Sequence, residues 1–305
     1  MNKQRQNSSE PITSVNQLCF PVNMLDNPEW VNKAHSKIVV GLLDNPTTGK
    51  TARKVLNYCS PTYGLVPNSS IFPEIETILK LNNISFTATY RHVDHVEFYV
   101  DYLITDSRFS FTVPRTQDIV QMKISVQHSY NSAKVFKLFF GWFRLICSNG
   151  LVMPVRELEK FNLTIVVKHA TKIHSSLEQF NSMLVNLQNN CDEIIKTIGK
   201  KMNKLAETVI TLENFDTMLA ETLEAAGIKA VTNSKYCTFA DIKARTMQEA
   251  NLPNLGYKGT VNQWLVYNAI NQYINDDTLN VTNPETRQIT DSKVLEYLLS
   301  LHEVE

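Results

Sequence analysis

"NNISFTATYRHVDHVEFYVDYLIT", Asn82 to Thr105, is the stretch on which the fold class turns. Ile84, Phe86, Ala88 and Tyr90 alternate with Ser85, Thr87, Thr89 and Arg91. That is the period of two expected of a strand with one buried and one wet face. Val96, Phe98, Val100, Tyr102 and Ile104 repeat the pattern, and the polar "HVDH" between the two runs predicts a hairpin connection.

Downstream, Met122, Ile124 and Val126 alternate with Lys123, Ser125 and Gln127, which predicts a third strand with the second set facing outward. After a turn at Tyr130-Asn131-Ser132, the segment from Val135 to Cys147 is apolar on both parities and reads as a central strand covered on both faces. Asn162 to His169 offers one more strand. The expectation is a mainly antiparallel sheet with one partly solvated face.

From Lys172 the period lengthens. Ile173, Leu177, Phe180, Leu184, Leu187, Cys191, Ile194 and Ile198 step by alternating fours and threes, a heptad-like stripe on one long amphipathic helix. Met202, Leu205 and Val209 extend it past a stutter. Such a stripe requires a partner, either a second copy in a homo-oligomer or the helix expected from Glu213 to Ala226, which stops at Gly227. Thr260 reads as the cap of a helix carrying Trp264, Tyr267, Ile270 and Ile274, and a last helix is expected from about Asp291. Upstream, Asn27 as a cap, Pro28 at the first turn, and Trp30, Ala34, Ile38 and Leu42 at helical spacing predict a helix ending before Asn45-Pro46. Residues 1–17, polar and rich in Asn, Gln and Ser, read as a disordered tail. The expected organisation is that tail, a region 18–170 combining the N-terminal helix with the sheet, and a helical region 171–305 packed on it. Together they make an α+β fold in one composite domain.

The 305 residues carry 30 Lys and Arg against 30 Asp and Glu, so no net charge gathers a polyanion around the whole molecule, although local basic patches survive neutrality. Cys19, Cys59, Cys147, Cys191 and Cys237 are scattered, odd in number and without a Cys-x-x-Cys pair, which fits a reducing compartment and argues against a zinc knuckle. No stretch has the apolar core of a signal peptide or the length to cross a bilayer. A soluble, cytoplasmic protein without membrane contact or cofactor is expected.

Cys147 closes an apolar run before Asn149-Gly150, and its structural reading outweighs a nucleophilic one. Arg144 shares a parity with Phe140, Trp142 and Ile146, so an anion must meet it: an internal carboxylate such as Asp101 or Glu97, or else a phosphate. His92, Asp94 and His95 read as a polar hairpin tip in preference to metal ligands, and His169 and His174 are wrongly spaced for one helical face. "NPTTGKTARK" lacks the first glycine of a phosphate loop, leaving Lys50, Arg53 and Lys54 as a short basic patch. Further basic clusters occur at Lys134 and Lys137, at Lys168, His169 and Lys172, and at Lys200, Lys201 and Lys204. With Tyr99, Tyr130 and Trp142 interleaved, a groove that tracks phosphates and stacks bases is the functional reading. Its candidate contacts are Arg91, Lys123, Lys134, Lys137, Arg144, Lys168, His169 and Lys172. The competing reading is a salt-bridged surface with Glu97 and Asp101. No acid, base and nucleophile converge in the sequence, so an enzyme ranks third.

Several ordered stretches carry a resemblance. They are Tyr63, Val66 and Asn68 in "YGLVPNSSIFPEI"; Asn131-Ser132 followed by Phe143, Arg144, Cys147, Asn149 and Gly150; the "VKHATKI" stretch, in which Ala170 and Thr171 stand where Thr-Gly is usual; and Trp264, Tyr267, Asn268 and Ala269 in a late helix. From about residue 55 to 300 the chain resembles a phage- and plasmid-encoded family labelled as a domain of unknown function, number nine hundred thirty-two. The resemblance implies a mobile-element origin among DNA-metabolism genes and no agreed activity. At fold level the hairpin, strands and long helix are similar to single-strand annealing proteins. The expected function is therefore a non-enzymatic, oligomeric phage protein that binds single-stranded DNA in annealing or recombination. The alternative is a virion-associated structural or host-interaction protein.

Overall fold

A computed structural model describes residues 12–27, 35–44, 49–113, 116–144, 164–167, 173–229, 238–275 and 284–301. It has two sheets and seven α-helices among these residues, the α+β class expected. The chain divides into two compact units, 1–102 with 124–139 and 164–185, and 103–123 with 140–163 and 186–305.

In the first unit, β1 (Val22–Asp26), β2 (Lys37–Asp44) and β3 (Thr51–Cys59) form a three-stranded antiparallel sheet in that order. This corrects the helix expected from Asn27: its second half, with Ile38 and Leu42, is β2, and residues 28–34 lie outside the described segments. Ile38-Val39-Val40 is a run of three β-branched residues, and the two flanking strands satisfy its backbone while Val39 is fully buried. Leu56 bulges between Val55 and Asn57, and Gly41 lies so close to Phe20 and Leu56 that an added Cβ would meet ring and methyl carbons at 2.9 and 3.0 Å. α1 (Phe72–Leu81) follows, with Pro73 in its first turn and Ile75 and Leu79 buried.

The second sheet has the order β4 (Phe86–Val93), β5 (Glu97–Ile104), β7 (Ile119–Ser129), β8 (Phe136–Arg144), β9 (Thr164–Val167), with the short β6 (Ser110–Thr112) paired to β7. Period two holds along β4 and β5, where Phe98, Val100, Tyr102 and Ile104 are fully buried. The β4–β5 turn is a two-residue type with positive φ at Asp94 and His95 and Val96 N–H donating to Val93 O, a backbone matched to the strand twist. On β7 the expected outward set is only partly outward: Ser125 is 7% and Gln127 6% exposed, so both faces of that strand are covered there. β8 is interior to the sheet, between β7 and β9. Cys147 and residues 145–163 lie outside the described segments, as does the stretch 1–11 of the expected tail.

The long helix is two helices, α2 (Ile173–Asn189) and α3 (Cys191–Glu207), meeting at Asn190, whose backbone N–H and side-chain amide both donate to Asn186 O. Its stripe finds cover within the chain. Leu177, Phe180, Leu184, Leu187, Cys191, Ile194, Ile198, Met202 and Leu205 are all buried, and Val209 is exposed. In the second unit α3 packs on α6 (Gln263–Asn275) and α7 (Pro284–Ser300), while α4 (Leu212–Ala225) packs on α7 and α5 (Thr238–Ala250) on α6. The expected cover from the Glu213–Ala226 helix is thus supplied by α6 and α7. α6 is buried on every side from Trp264 to Ile270, as a central helix must be. Its cap is Asn262, whose Oδ1 accepts from Leu265 N–H, in place of Thr260. α7 begins at Pro284, earlier than Asp291, with proline at its first position.

Candidate nucleic-acid interface

The β1–β2–β3 register decides which residues share a face. Leu25 pairs with Ile38 and Ile38 with Tyr58; Asn23 pairs with Val40 and Val40 with Val55; Leu42 pairs with Arg53. Residues opposite each other on antiparallel strands point the same way. One face therefore carries Asn23, Leu25, Ile38, Val40, Leu42, Arg53, Val55 and Tyr58; Val40 at its centre is buried, while on the flanking strands Tyr58 is 54%, Val55 45% and Leu25 42% exposed. Arg53 is exposed and forms no ion pair among the described residues. An exposed ring flanked by aliphatic surface and a guanidinium can stack a base and meet its phosphate. The opposite face is closed by Phe20 and Leu56 over Gly41. Lys54, the third member of the basic patch, is tied down, its Nζ donating to Asp94 O at 2.7 Å.

The basic residues expected on the larger sheet are less available. Arg91 on β4 is exposed, yet its Nη2 lies 3.0 Å from Asp101 Oδ2, and Ser125 Oγ donates to the other oxygen of that carboxylate at 2.5 Å. Glu97 accepts from Tyr99 OH at 2.8 Å. The two carboxylates offered as partners for Arg144 are therefore held by Arg91, Ser125 and Tyr99; Arg144 ends β8 and its side chain is outside the described set. Lys137 Nζ lies 5.6 Å from the Phe139 ring centroid. Lys134 follows the β7–β8 turn, where its backbone N–H and O both bond to Ser129 Oγ. Lys123 sits on β7 and falls in the second unit. Lys168, His169 and Lys172 lie outside the described residues, so the structure places Arg91, Lys123, Lys137 and Arg144 on strands of one sheet, with Lys134 in the turn between β7 and β8.

At the β4–β5 turn the rings of His92 and His95 stack at 4.1 Å, and His95 N–H donates to His92 Nδ1. Burial, then the neighbouring His92 ring and Lys54, push His95 down to about 4; burial likewise lowers His92. These are neutral rings packed as part of a turn, and among the described residues no group of three His, Cys, Asp or Glu is placed to hold a metal. Burial pushes the Cys19 and Cys191 thiols up to about 11, away from thiolate chemistry.

The family-motif residues are architectural where they are described. Tyr63 OH donates to Tyr130 O at 3.0 Å, Asn68 N–H donates to Tyr130 OH at 2.8 Å, and Asn68 Nδ2 reaches Leu18 O at 2.9 Å. Two stretches some sixty residues apart thus meet at the turn through Asn131 and Ser132, where Asn131 Oδ1 accepts from Ala133 N–H and Ser132 has a φ of 61°. In the second unit Trp264 Nε1 and Tyr257 OH both donate to the buried Asp118 carboxylate, at 2.9 and 3.0 Å, and Asn268 Nδ2 bonds back to Trp264 O. Phe143 ends β8 with its side chain outside the described set, and Cys147, Asn149 and Gly150 lie beyond the described residues. The sequence reading does not contain the three-stranded sheet, although the β-branched run Ile38-Val39-Val40 is a strand signal.

A family model described as "Domain of unknown function (DUF932)" matches residues 55–297. No curated protein and no solved structure matches the chain. No described helix is long and apolar enough to cross a membrane.

Proposed function

Because this chain belongs to the domain-of-unknown-function family DUF932 over most of its length, we propose that it is a phage-encoded, non-enzymatic protein that binds single-stranded DNA during annealing or recombination. The observation that carries the reading is the face of the β1–β2–β3 sheet on which Tyr58 is exposed beside Val55, with the exposed Arg53 beyond Val55 on the same strand. An exposed ring with a cation farther along its strand suits base stacking with little sequence preference. Homo-oligomerisation and action in the host cytoplasm belong to the same proposal, and the phage origin rests on the family resemblance alone.

Fluorescence anisotropy with a labelled oligothymidylate tests it. Wild-type protein binds at low salt, and Tyr58→Ala weakens binding by about 5- to 150-fold, the ~1–3 kcal/mol of one stacked base. Absence of wild-type binding at low salt refutes the reading. The same exposure of Leu25 and Val55 on an apolar face supports a second reading, a virion structural or host-interaction role, in which the sheet meets protein. Stoichiometric copies in purified particles, together with no oligonucleotide binding, would favour it.

A further inference from the structure

α3 turns Cys191, Ile194, Ile198, Met202 and Leu205 inward and Lys196, Lys200 and Lys204 outward. Steps of four residues keep those lysines on one side, at levels about 6 Å apart along the axis. Between Ile194 and Ala206 the sequence holds four lysines and no carboxylate. None of the three outward lysines forms an ion pair among the described residues. An ordinary solvated helix face interleaves glutamate at such spacing, since like charges four apart repel and opposite charges attract. Asp192, four residues before Lys196, and Glu207, three after Lys204, offset charge at the two ends of the row, while Lys200 has lysine four residues away on either side.

Gly199 adds an independent observation. It lies in the interior of α3 beside the lysine row, with an ordinary helical backbone, and a Cβ there would meet nothing within 4 Å. Glycine lowers helix stability relative to alanine, and no packing requirement accounts for it. What a missing side chain does provide is close approach of a bulky ligand to the helix surface.

We infer that the outer face of α3 is a contact for a phosphodiester backbone, with Lys196, Lys200 and Lys204 as its cationic rungs. The inference rests on the single-strand-binding reading and assigns a second place on the chain to the same ligand. Lysine is a flexible point charge, suited to following phosphates without fixing sequence. A second anionic candidate is α4, whose sequence holds Glu213, Asp216, Glu221 and Glu224 and no cation, and which a second copy would present. It fits less well, because Asp216 is already paired with Lys243 at 2.7 Å and Glu221 already accepts from Tyr297 OH at 3.0 Å.

The experiment compares full-length protein with the Lys196→Gln, Lys200→Gln, Lys204→Gln triple variant. Anisotropy of labelled oligothymidylate is followed from about 50 to 200 mM salt, the range over which counterion release dominates. Glutamine has nearly the helix propensity of lysine, so the thermal midpoint serves as the folding control. Each phosphate contact on a single strand contributes about 0.7 to the salt slope, so the variant's slope is shallower by about 2 and wild type loses about 20-fold more affinity across that range. The corresponding triple arginine variant keeps the wild-type slope. Wild-type binding with an unchanged slope in the glutamine variant overturns this inference and leaves the single-strand reading standing; no wild-type binding removes both. A fall in the variant's mass by light scattering, with the slope unchanged, overturns it in favour of α3 seated on α4 of a second copy.

Discussion

Asp291→Asn is the perturbation whose consequence can be worked out furthest. Asp291 on α7 is 3% exposed; its Oδ2 accepts from Tyr267 OH at 3.0 Å and its Oδ1 from Asn271 Nδ2 at 2.5 Å, both donors on α6. Burial pushes this carboxyl up from 3.8 to about 7, and the two hydrogen bonds only partly oppose the shift. The folded state thus keeps a proton that the unfolded chain releases near pH 4. Stability from this group is present in full below that pH, drains away between pH 4 and 7, and stays flat above. Three pH units at 1.36 kcal/mol each put the loss at about 4 kcal/mol, an upper bound for a site that can relax. Asparagine is neutral and of the same shape, so the variant lacks this titration; its amide faces that of Asn271, which costs about 1–3 kcal/mol if one donor is left unmet. Urea unfolding of both proteins from pH 4 to pH 8 isolates the term, because the difference between them cancels every other titrating group. Wild type is the more stable at pH 4, and its advantage falls by up to about 4 kcal/mol towards pH 8, enough to reverse the order. A difference that does not change with pH would show that Asp291 is ionised in the fold and would refute the reasoning.

Two further outcomes follow from burial. Leu184→Asp, at a fully buried position of the α2 stripe, removes a leucine from the core and strands a carboxylate there, at a cost of at least ~3 kcal/mol. Circular dichroism should show unfolding or a large drop in melting temperature, whereas a folded variant of reduced mass would return the stripe to an intermolecular role. Gly41→Val pushes methyl groups against Phe20 and Leu56 and should cost about 1–3 kcal/mol by overpacking; an unchanged denaturation midpoint would show that the Phe20 ring moves aside freely.

The sheet was legible where a strand has one buried face. β4 and β5 follow the alternation of Phe86 to Tyr90 and Phe98 to Ile104, because the chain's own period of two is enough to sort those residues. β2 misled for a related reason. Trp30, Ala34, Ile38 and Leu42 fall at helical spacing, and only pairing with β1 and β3 selects the extended form for the second half of that run. The heptad row was read at the right residues with its cover unassigned, since a row of buried side chains does not say whose surface meets it; α6 and α7, some sixty to a hundred residues onward, supply it for α3. Of the basic residues, Arg91, Lys123, Lys137 and Arg144 fall on strands of one sheet, while the face that Arg53 and Tyr58 share across β2 and β3 is a matter of register, which the local sequence does not carry.

Local periodicity thus determined, from the sequence by itself, the strands β4 and β5 with their buried sides and the inward row of α2 and α3. Tertiary structure alone decided that Asn68 from one stretch holds Tyr130 from another, that Asp118 receives Trp264 and Tyr257, and that Lys196, Lys200 and Lys204 stand exposed. The reason is range: side-chain periods act over a few residues, whereas burial of a polar group and pairing of a charge depend on neighbours that arrive only when distant segments close.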